Sequence, residues 1–263
     1  MADEPPPRPA WARALDPARA FVEEVGTLGD LALKTFVWAL RPPYRFNVMV
    51  AQLEFVGVQS VFLVGLVGLF TGMVFAVQTI YGFRRFGAEN MVGGVVSLTL
   101  SREMAPVLTA IMVAARAGSG MAAELGNMRA SEQIDALETM AVNPVQYLVV
   151  PRFLAGVVMV PALSVLFTLV GMCGAYFVGV VLMNIDPGVF LGKTRWLVDP
   201  KDITDGLIKA TVFGGVLTLV GCYKGFYASG GARGVGIATT QSVVVSSVAI
   251  LVADYFLTAM MFE

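Results

Sequence analysis

The sequence contains no histidine, only two cysteines and few charged residues, and each shortage excludes a class of function. Without histidine the chain lacks the commonest general base and the commonest metal ligand. Cys173 and Cys222 both lie in apolar runs, so we expect two small buried hydrophobic residues rather than a disulfide framework or a metal site. A net charge of −1 gives no reason to expect nucleic acid as a partner.

The composition is typical of a membrane protein. Hydrophobic residues make up 57% of the chain and charged residues 14%, against about 25% charged residues in soluble domains. So little charge could not cover a soluble domain of 263 residues, which favours an integral membrane protein. The N-terminus has no apolar segment behind a basic one, so we do not expect it to be a cleavable signal peptide. Residues 1–15, which begin with a proline-rich stretch, are expected to form a disordered cytoplasmic tail.

Residues 16–45 predict an amphipathic helix. Asp16 followed by Pro17 is typical of a helix start, because an N-cap residue precedes a proline at the first helical position. Apolar residues then recur at three- and four-residue spacing, with charged residues off that line. The segment is charged too often to cross a bilayer, so we expect it on the cytoplasmic membrane surface, or alternatively packed on a partner.

Five long apolar stretches predict five transmembrane helices. The first has 29 uncharged residues and the third has 33, where about 20 suffice for a span. Glycines at four-residue spacing, at 68 and 72 and again at 221 and 225, favour close approach of helices in lipid. The predicted spans are residues 55–81, 91–116, 152–181, 206–226 and 235–262.

Arg102 and Glu103 lie inside the second predicted span. Glu103 falls near the middle of residues 91–116, and a charge at mid-membrane costs about 2.5–3.5 kcal/mol. The two side chains point about 100° apart on a helix, so they do not simply neutralise each other. Such a costly arrangement indicates that these side chains face the interior of the bundle or a water-filled cavity. The alternative is a structural ion pair between helices.

The segment Ala117–Gly120 is expected to break the second span. Gly118–Ala123 also fits the dinucleotide-binding pattern GxGxxA. That interpretation needs a strand before the motif, and a long helical pattern precedes it instead, so we reject it.

Residues 131–140 predict a short helix outside the membrane. Ile134, Leu137 and Met140 share one face, the acidic residues lie off it, and an Asn-Pro pair at 143 stops the helix. We interpret the helix as a docking surface for another subunit, with a solvated loop helix as the alternative. The expected fold is therefore an all-α integral membrane protein with about five transmembrane helices, an N-terminal amphipathic interfacial helix and a short cytoplasmic coupling helix.

Charged residues in the second half of the chain are interpreted as span ends. Residues 186–205, with two Asp-Pro pairs, predict a substantial extracytoplasmic loop, and residues 228–234 predict a flexible glycine-rich loop. Lys209 and Lys224 fall near the ends of the fourth span, where lysines extend toward the interface. Asp254 falls near the outer end of the fifth span, at the level of the headgroups.

The distribution of basic residues predicts the orientation. Eleven of the 18 lysines and arginines fall on the side of the N-terminus, six fall on the other side, and Arg102 lies between. The excess of positive charge marks the cytoplasmic side. The N-terminus and residues 131–140 are therefore expected in the cytoplasm and the C-terminus in the periplasm.

Four motifs resemble the MlaE/YrbE family of permeases, the membrane subunits of Mla/Mce-type ABC lipid transporters. They are LSREMAPVLTA (100–110), AARAGSGMAAELGNMRASEQIDALETMAVNP (114–144), PRFLAG (151–156) and ATTQSVVVSSVAILVADYFLTAMMF (238–262). The resemblance extends over roughly residues 20 to 262 and implies that residues 46–263 form a permease domain. The chain has no GxxxxGK[ST] motif, so no cofactor is expected in this chain.

The resemblance implies partners in the bacterial inner membrane. Two copies would pair as a homodimer, and each would dock an MlaF-like ATPase, which carries the ATP and Mg²⁺, through the coupling helix. An MlaD-like MCE-domain protein would lie on the periplasmic side. The residues expected to contact the ATPase are Arg129, Glu132, Asp135, Leu137 and Glu138.

The transported species implied by the resemblance is a phospholipid or related lipid, held in an outward-facing pocket between the two copies. The positions that match the pocket of the family are Phe75, Gln78, Phe83, Phe86, Glu103 and Met104. Aromatic rings suit acyl chains, and Phe86 lacks the hydroxyl of the tyrosine that the family can have there. The pair Arg84-Arg85 departs from the family pattern and is interpreted as a phosphate contact or as a solvated loop pair.

Three functions remain open from the sequence. The leading one is the permease of an ABC transporter that moves lipids between the inner membrane and the periplasm or outer membrane, and so maintains outer-membrane lipid asymmetry. The alternative is a proton-coupled secondary transporter that uses Glu103; inverted repeats would support it, and five spans do not divide evenly into two. The third is a membrane scaffold that transports nothing.

Overall fold

The chain is a bundle of long helices. The computed structural model describes residues 10–42 and 45–261, and every regular element in those residues is helical. Five helical stretches are long and apolar enough to cross a membrane, and we call them spans 1 to 5: Phe46–Arg84, Glu89–Ala130, Val145–Leu182, Pro200–Phe226 and Gly231–Met261. The predicted fold class, an all-α integral membrane protein, is confirmed.

Eleven α-helices make up the spans and their connections in the part of the chain that the structure describes. They are α1 (Ala10–Ala39), α2 (Phe46–Val56), α3 (Val61–Arg84), α4 (Val92–Thr99), α5 (Ala105–Val113), α6 (Ser119–Ala130), α7 (Gln133–Thr139), α8 (Val150–Tyr176), α9 (Pro187–Leu197), α10 (Pro200–Phe226) and α11 (Gly231–Met261). Span 1 contains α2 and α3, span 2 contains α4 to α6, and span 3 contains α8. Spans 4 and 5 are α10 and α11.

Helix α1 begins earlier than the sequence indicates. Its first residue is Ala10, which lies inside the predicted tail 1–15 and upstream of the predicted start at Asp16. Residues 1–9 of that tail lie outside the described residues. The helix ends at Ala39, and span 1 begins at Phe46, well before its predicted start at residue 55.

Helix α1 is fixed to the bundle by polar and apolar contacts. Leu31 is buried among the spans. The hydroxyl of Thr27 lies 2.7 Å from the hydroxyl of Tyr223, and Glu24 forms an ion pair with Lys224. Lys224 therefore pairs with α1, whereas the sequence analysis assigned it to the membrane interface.

Span 2 continues through the glycine-rich segment that was predicted to break it. Residues Ala114–Gly118 form a π-helical turn, and α6 follows directly. A Cβ added at Gly221 would lie 2.9 Å from the carbonyl oxygen of Gly118, and one added at Gly225 would lie 2.7 Å from that of Ala122. The glycines at 221 and 225 thus bring span 4 against span 2, and packing stabilises the helix where glycine alone would weaken it.

Spans 1 and 3 cross with backbone against backbone. A Cβ added at Gly72 would overlap the backbone of Gly171, and one added at Gly68 would lie 3.1 Å from the carbonyl oxygen of Phe167. The glycine spacing predicted this kind of contact, although not its partner. Gly65, which lies off that line, has nothing within 4 Å of an added Cβ.

Residues 186–205 do not form the predicted loop. Helix α9 occupies much of that segment, and α10 begins at Pro200, before the predicted start at residue 206. Each Asp-Pro pair starts a helix: Asp186 accepts a hydrogen bond from the backbone of Val189, and Asp199 forms a capping box with Asp202. The second pair lengthens span 4 by almost two turns.

Two smaller predictions are also wrong in part. Cys222 is buried, as expected, but Cys173 is exposed on the surface of span 3. The glycine-rich loop 228–234 is shorter than predicted, because α11 already begins at Gly231.

Candidate functional site

A lysine, two carboxylates and a threonine from three spans form a polar cluster inside the bundle. The Nζ of Lys209 lies 2.6 Å from Oε2 of Glu103 and 3.2 Å from Oδ1 of Asp254, and it donates to Oγ1 of Thr258 at 2.7 Å. The side chain of Lys209 is 1% exposed, whereas those of Glu103 and Asp254 are 28% and 22% exposed. We call these four residues the central ion cluster. The ammonium group of the cluster is buried, whereas its two carboxylates are partly exposed on one side.

The local backbone explains how spans 2 and 4 come so close at this cluster. Residues Leu100–Met104 form a π-helical turn, a departure from the regular α-helix that is frequent at functional sites. Gly206 lies one turn before Lys209, and a Cβ at that position would overlap the carbonyl of Ser101. The missing side chain therefore allows α10 to lie directly against the turn that carries Glu103.

A second ion pair joins the same two spans. Arg102 contacts Asp202 with 3.3 Å between Nη1 and Oδ1, and both side chains are largely buried. Arg102 and Glu103 thus bind different groups on α10, as their separation around the helix predicts. Because span 2 extends to Ala130, Glu103 lies toward the Glu89 end of the span rather than at its middle.

Three members of these ion pairs were not predicted from the sequence. Lys209 and Asp254 were assigned to span ends and Asp202 to a loop, whereas all three lie within helices and pair with span 2 or span 4. The signal that could have identified them is the charge balance among the apolar spans. An unpaired charge in an apolar helix is costly, so a lysine in another span is a candidate to pair with Glu103, and an aspartate in a third span is a candidate to pair with the same lysine.

Among the six predicted lipid-binding residues, Glu103 and Phe75 belong to different features of the structure. Glu103 belongs to the central ion cluster, whereas Phe75 lines a shallow groove on span 1 together with Leu66, Phe70 and Val74. The others vary in exposure. Met104 and Phe83 are partly buried against the core, and Gln78 and Phe86 are exposed. These positions remain predictions, because the expected pocket needs a second copy of the chain.

The two arginines after span 1 differ in their contacts. The Nε of Arg84 donates to Oε1 of Glu89 at 3.0 Å, across the turn between spans 1 and 2. Arg85 is exposed. An arginine already paired with a carboxylate is less available to a lipid phosphate, so the geometry favours Arg85 over Arg84 for such a contact.

The predicted coupling helix is α7, at the far end of span 2 from the arginine pair. Ile134 is fully buried and Leu137 partly buried, and these side chains attach α7 to the bundle. Glu132 and Glu138 are exposed. Asp135 forms an ion pair of 2.5 Å with Arg129, so this predicted contact residue has a partner in its own chain.

Sharp turns with left-handed backbone bound α7 on both sides. Glu132 has φ of +58° and Ala141 has φ of +56°, a conformation that is uncommon for residues other than glycine. The helix is therefore held at a defined angle to span 2. Beside it, a groove of about 620 Å³ runs between α1, α7 and the end of α10 and is lined by Lys34, Arg129 and Glu138.

A buried arginine links span 3 to the segment that leads into α7. Arg152 is 3% exposed, forms an ion pair of 2.8 Å with Glu124 of α6, and donates to the carbonyl of Leu148 at 2.6 Å. The sequence analysis placed Arg152 at the boundary of span 3. It lies within that span, because Glu124 provides the compensating charge.

Five spans, ion pairs between them and a short exposed helix at one end define a multi-pass membrane protein. A family described as "Permease MlaE" matches residues 49–260. The chain belongs to the MlaE permease family.

Three related proteins agree with this family. The intermembrane phospholipid transport system permease protein MlaE of Haemophilus influenzae is 38% identical over 92% of this chain and 93% of its own length. A probable ABC transporter permease protein of Rickettsia prowazekii is 39% identical over 92% of this chain and 94% of its own. The chloroplastic protein TRIGALACTOSYLDIACYLGLYCEROL 1 of Arabidopsis thaliana is 38% identical over 81% of this chain and 61% of its own. The family favours an ABC permease over the secondary transporter and the scaffold that the sequence left open.

Proposed function

We propose that the chain is the membrane subunit of an ABC transporter that moves phospholipids or related lipids between the inner membrane and the periplasm or outer membrane, and so maintains outer-membrane lipid asymmetry. The observation that carries the proposal is the central ion cluster, whose carboxylates are partly exposed on one side of a largely apolar bundle. A lipid needs both an apolar wall and a polar group for its head. The relative from Haemophilus, named for phospholipid transport, supports the same substrate class.

The exposed face of span 1 supplies the apolar wall. Large side chains are exposed at every fourth residue, among them Val58, Phe62, Phe70 and Val74. Gln78 continues this line. We place the acyl chains along this face and the headgroup near Glu103, with a second copy of the chain completing the pocket. Such concave, mostly apolar sites with a few polar groups are typical of ligand pockets.

Transport requires an energy source in another chain, which we propose is an MlaF-like ATPase docked on α7. Span 2 is continuous from Glu89 to Ala130, so a movement of α7 would reach the central ion cluster through one unbroken helical stretch. The ion pair of Arg152 with Glu124 would pass the same movement to span 3. The N-terminus and α7 would then face the cytoplasm, and the C-terminus and an MlaD-like MCE protein the periplasm.

Reversing the two exposed charges of α7 should detach the ATPase. Neither Glu132 nor Glu138 has an ion-pair partner among the described side chains, so the variant Glu132→Lys, Glu138→Lys should fold normally and lose the ATPase from the purified complex. The measurement is the amount of ATPase that co-purifies with the permease, together with lipid-dependent ATP hydrolysis. The control Arg84→Glu, Arg85→Glu reverses as many charges next to the other end of span 2 and should leave the amount of co-purified ATPase unchanged. If the α7 variant retained all of its ATPase, α7 would not be part of the docking surface.

Neutralising Glu103 should reduce the lipid bound to the complex. The variant Glu103→Gln keeps the shape of the side chain and leaves Lys209 paired with Asp254, so the bundle should remain folded. We expect several-fold less phospholipid by mass spectrometry of the purified complex and loss of the outer-membrane barrier in cells. A matched change of an exposed carboxylate, Glu54→Gln, should leave both unchanged. If the lipid content of Glu103→Gln were unaltered, the ion pair of Glu103 would have only a structural role.

A further inference from the structure

A small basic pocket lies where α1 meets the spans, at the end of span 1 opposite the Arg84-Arg85 turn. It has a volume of about 80 Å³, enough for one phosphate group. Trp38 and Arg41 at the end of α1 and Arg45 and Met49 at the start of span 1 form one wall. The start of span 3 forms the other wall.

Two arginines line this pocket, and each lies over an aromatic ring. The Cζ of Arg41 is 5.5 Å from the ring centre of Trp38, and that of Arg45 is 4.5 Å from the ring centre of Tyr147. A guanidinium that stacks through its face keeps the N–H groups on its edge free for an anion. Among the described side chains no acidic residue lines the pocket, and neither arginine has a carboxylate partner there.

The remaining lining makes the pocket amphiphilic. Asn143 and Gln146 contribute amide groups, and the Nε2 of Gln146 donates to the carbonyl of Arg41 at 3.2 Å, which ties the end of α1 to span 3. Met49 and Leu154 contribute apolar surface on the side of the spans. Tryptophan and tyrosine beside arginine are the residue types found at the level of lipid headgroups. An anion with an apolar tail therefore fits the pocket better than a free anion does.

We propose that this pocket binds the phosphate of an anionic phospholipid, with the acyl chains against Met49 and Leu154. This lipid would be a bound component that fixes the end of α1 to spans 1 and 3. It is distinct from the transported lipid, because the pocket and the central ion cluster lie on different helices. The proposal therefore stands whether or not the proposed function is correct.

The three tryptophans of the chain allow a direct test. Trp11→Phe and Trp196→Phe leave Trp38, in the pocket, as the single fluorophore of the full-length protein. The protein is reconstituted in phosphatidylcholine vesicles that contain a minor fraction of either brominated phosphatidylglycerol or brominated phosphatidylcholine. Bromine quenches a tryptophan that it contacts. We expect phosphatidylglycerol to quench Trp38 at a concentration about tenfold lower than phosphatidylcholine does, given two arginines near an anionic headgroup.

Two variants of the pocket and one control separate specific binding from general attraction. The variant Arg41→Gln, Arg45→Gln should abolish the preference for phosphatidylglycerol. Asn143→Asp removes neither arginine and keeps the acceptor that binds the backbone N–H groups of Val145 and Gln146, so it should fold and still weaken the preference several-fold. The control Arg84→Gln, Arg85→Gln removes the same charge elsewhere and should keep the preference.

Three outcomes would overturn the proposal. Equal quenching by both brominated lipids would show that Trp38 meets only bulk lipid. A preference unchanged in Asn143→Asp would show that the pocket does not hold the anionic headgroup. Relief of the quenching by millimolar inorganic phosphate, with no dependence on the acyl chains, would identify a site for free phosphate instead.

Discussion

Replacing Lys209 with methionine is expected to lower the free energy of unfolding by about 3–5 kcal/mol, because removing one partner of a buried ion pair leaves the other charge uncompensated. Here two carboxylates, Glu103 and Asp254, would face each other without the ammonium group between them. For a chain of this size the loss corresponds to a decrease in melting temperature of roughly 10 °C. The melting temperature of the purified protein in detergent measures it.

A matched lysine on the same helix provides the control. Lys201 lies in the first turn of α10 and is exposed, so Lys201→Met changes the same side chain and the same net charge outside the cluster. We expect its effect on stability to stay within about 0.5 kcal/mol. A melting temperature of Lys209→Met equal to that of Lys201→Met would show that the ion cluster contributes nothing to stability.

A triple variant separates the structural role of the cluster from its role in transport. Lys209→Met together with Glu103→Gln and Asp254→Asn removes all three charges, and neutral replacement of a whole buried ion cluster is often tolerated. We expect the melting temperature to recover most of the loss. Phospholipid binding should remain impaired, because the carboxylates near the proposed headgroup site are gone. Recovery of both properties would leave the cluster with only a structural role.

The spans were predictable because each is an apolar run longer than a bilayer needs, but their ends were not. From the sequence, each charge at the edge of an apolar run predicted the end of a helix. Arg152 and Lys209 contradict that rule, since each lies inside a span and is buried beside a carboxylate from another helix. The local sequence shows the cost of a buried charge but does not show its partner, which is 106 residues away for Lys209 and Glu103.

The candidate site was predictable to a similar extent. Glu103 could be identified because it is an acid in an apolar helix, and residues 131–140 because a polar helix interrupts the spans. The predicted lipid contacts of Phe75, Gln78 and Phe86 depend on a surface that a single copy leaves exposed, so neither the sequence nor the chain alone assembles them. The Asp-Pro pairs are a different case. The signal that predicted a helix start at Asp16 was also present at Asp186 and Asp199, where the analysis predicted a loop.

Replacing Gly72 with alanine is expected to separate spans 1 and 3. The added Cβ would overlap the carbonyl oxygen and carbon of Gly171, and its Cα would lie at 2.8 Å. Backbone atoms cannot rotate aside as a side chain does, so the helices themselves must shift. We expect a loss of stability of about 3 kcal/mol, at the upper end for overpacking, which corresponds to a decrease in melting temperature of about 6–12 °C.

The two cysteines provide the measurement, and Gly65 provides the control. In a Cys173→Ser background a thiol-reactive dye can label only the buried Cys222, so the rate of labelling during heating reports the opening of the bundle. Gly65→Ala makes the same substitution in the same helix, two turns earlier, where nothing lies within 4 Å of the new Cβ. It should leave the melting temperature unchanged or raise it slightly, since alanine favours a helix by about 0.5–1 kcal/mol. If both variants melted alike, close backbone contact would not be what holds span 1 against span 3.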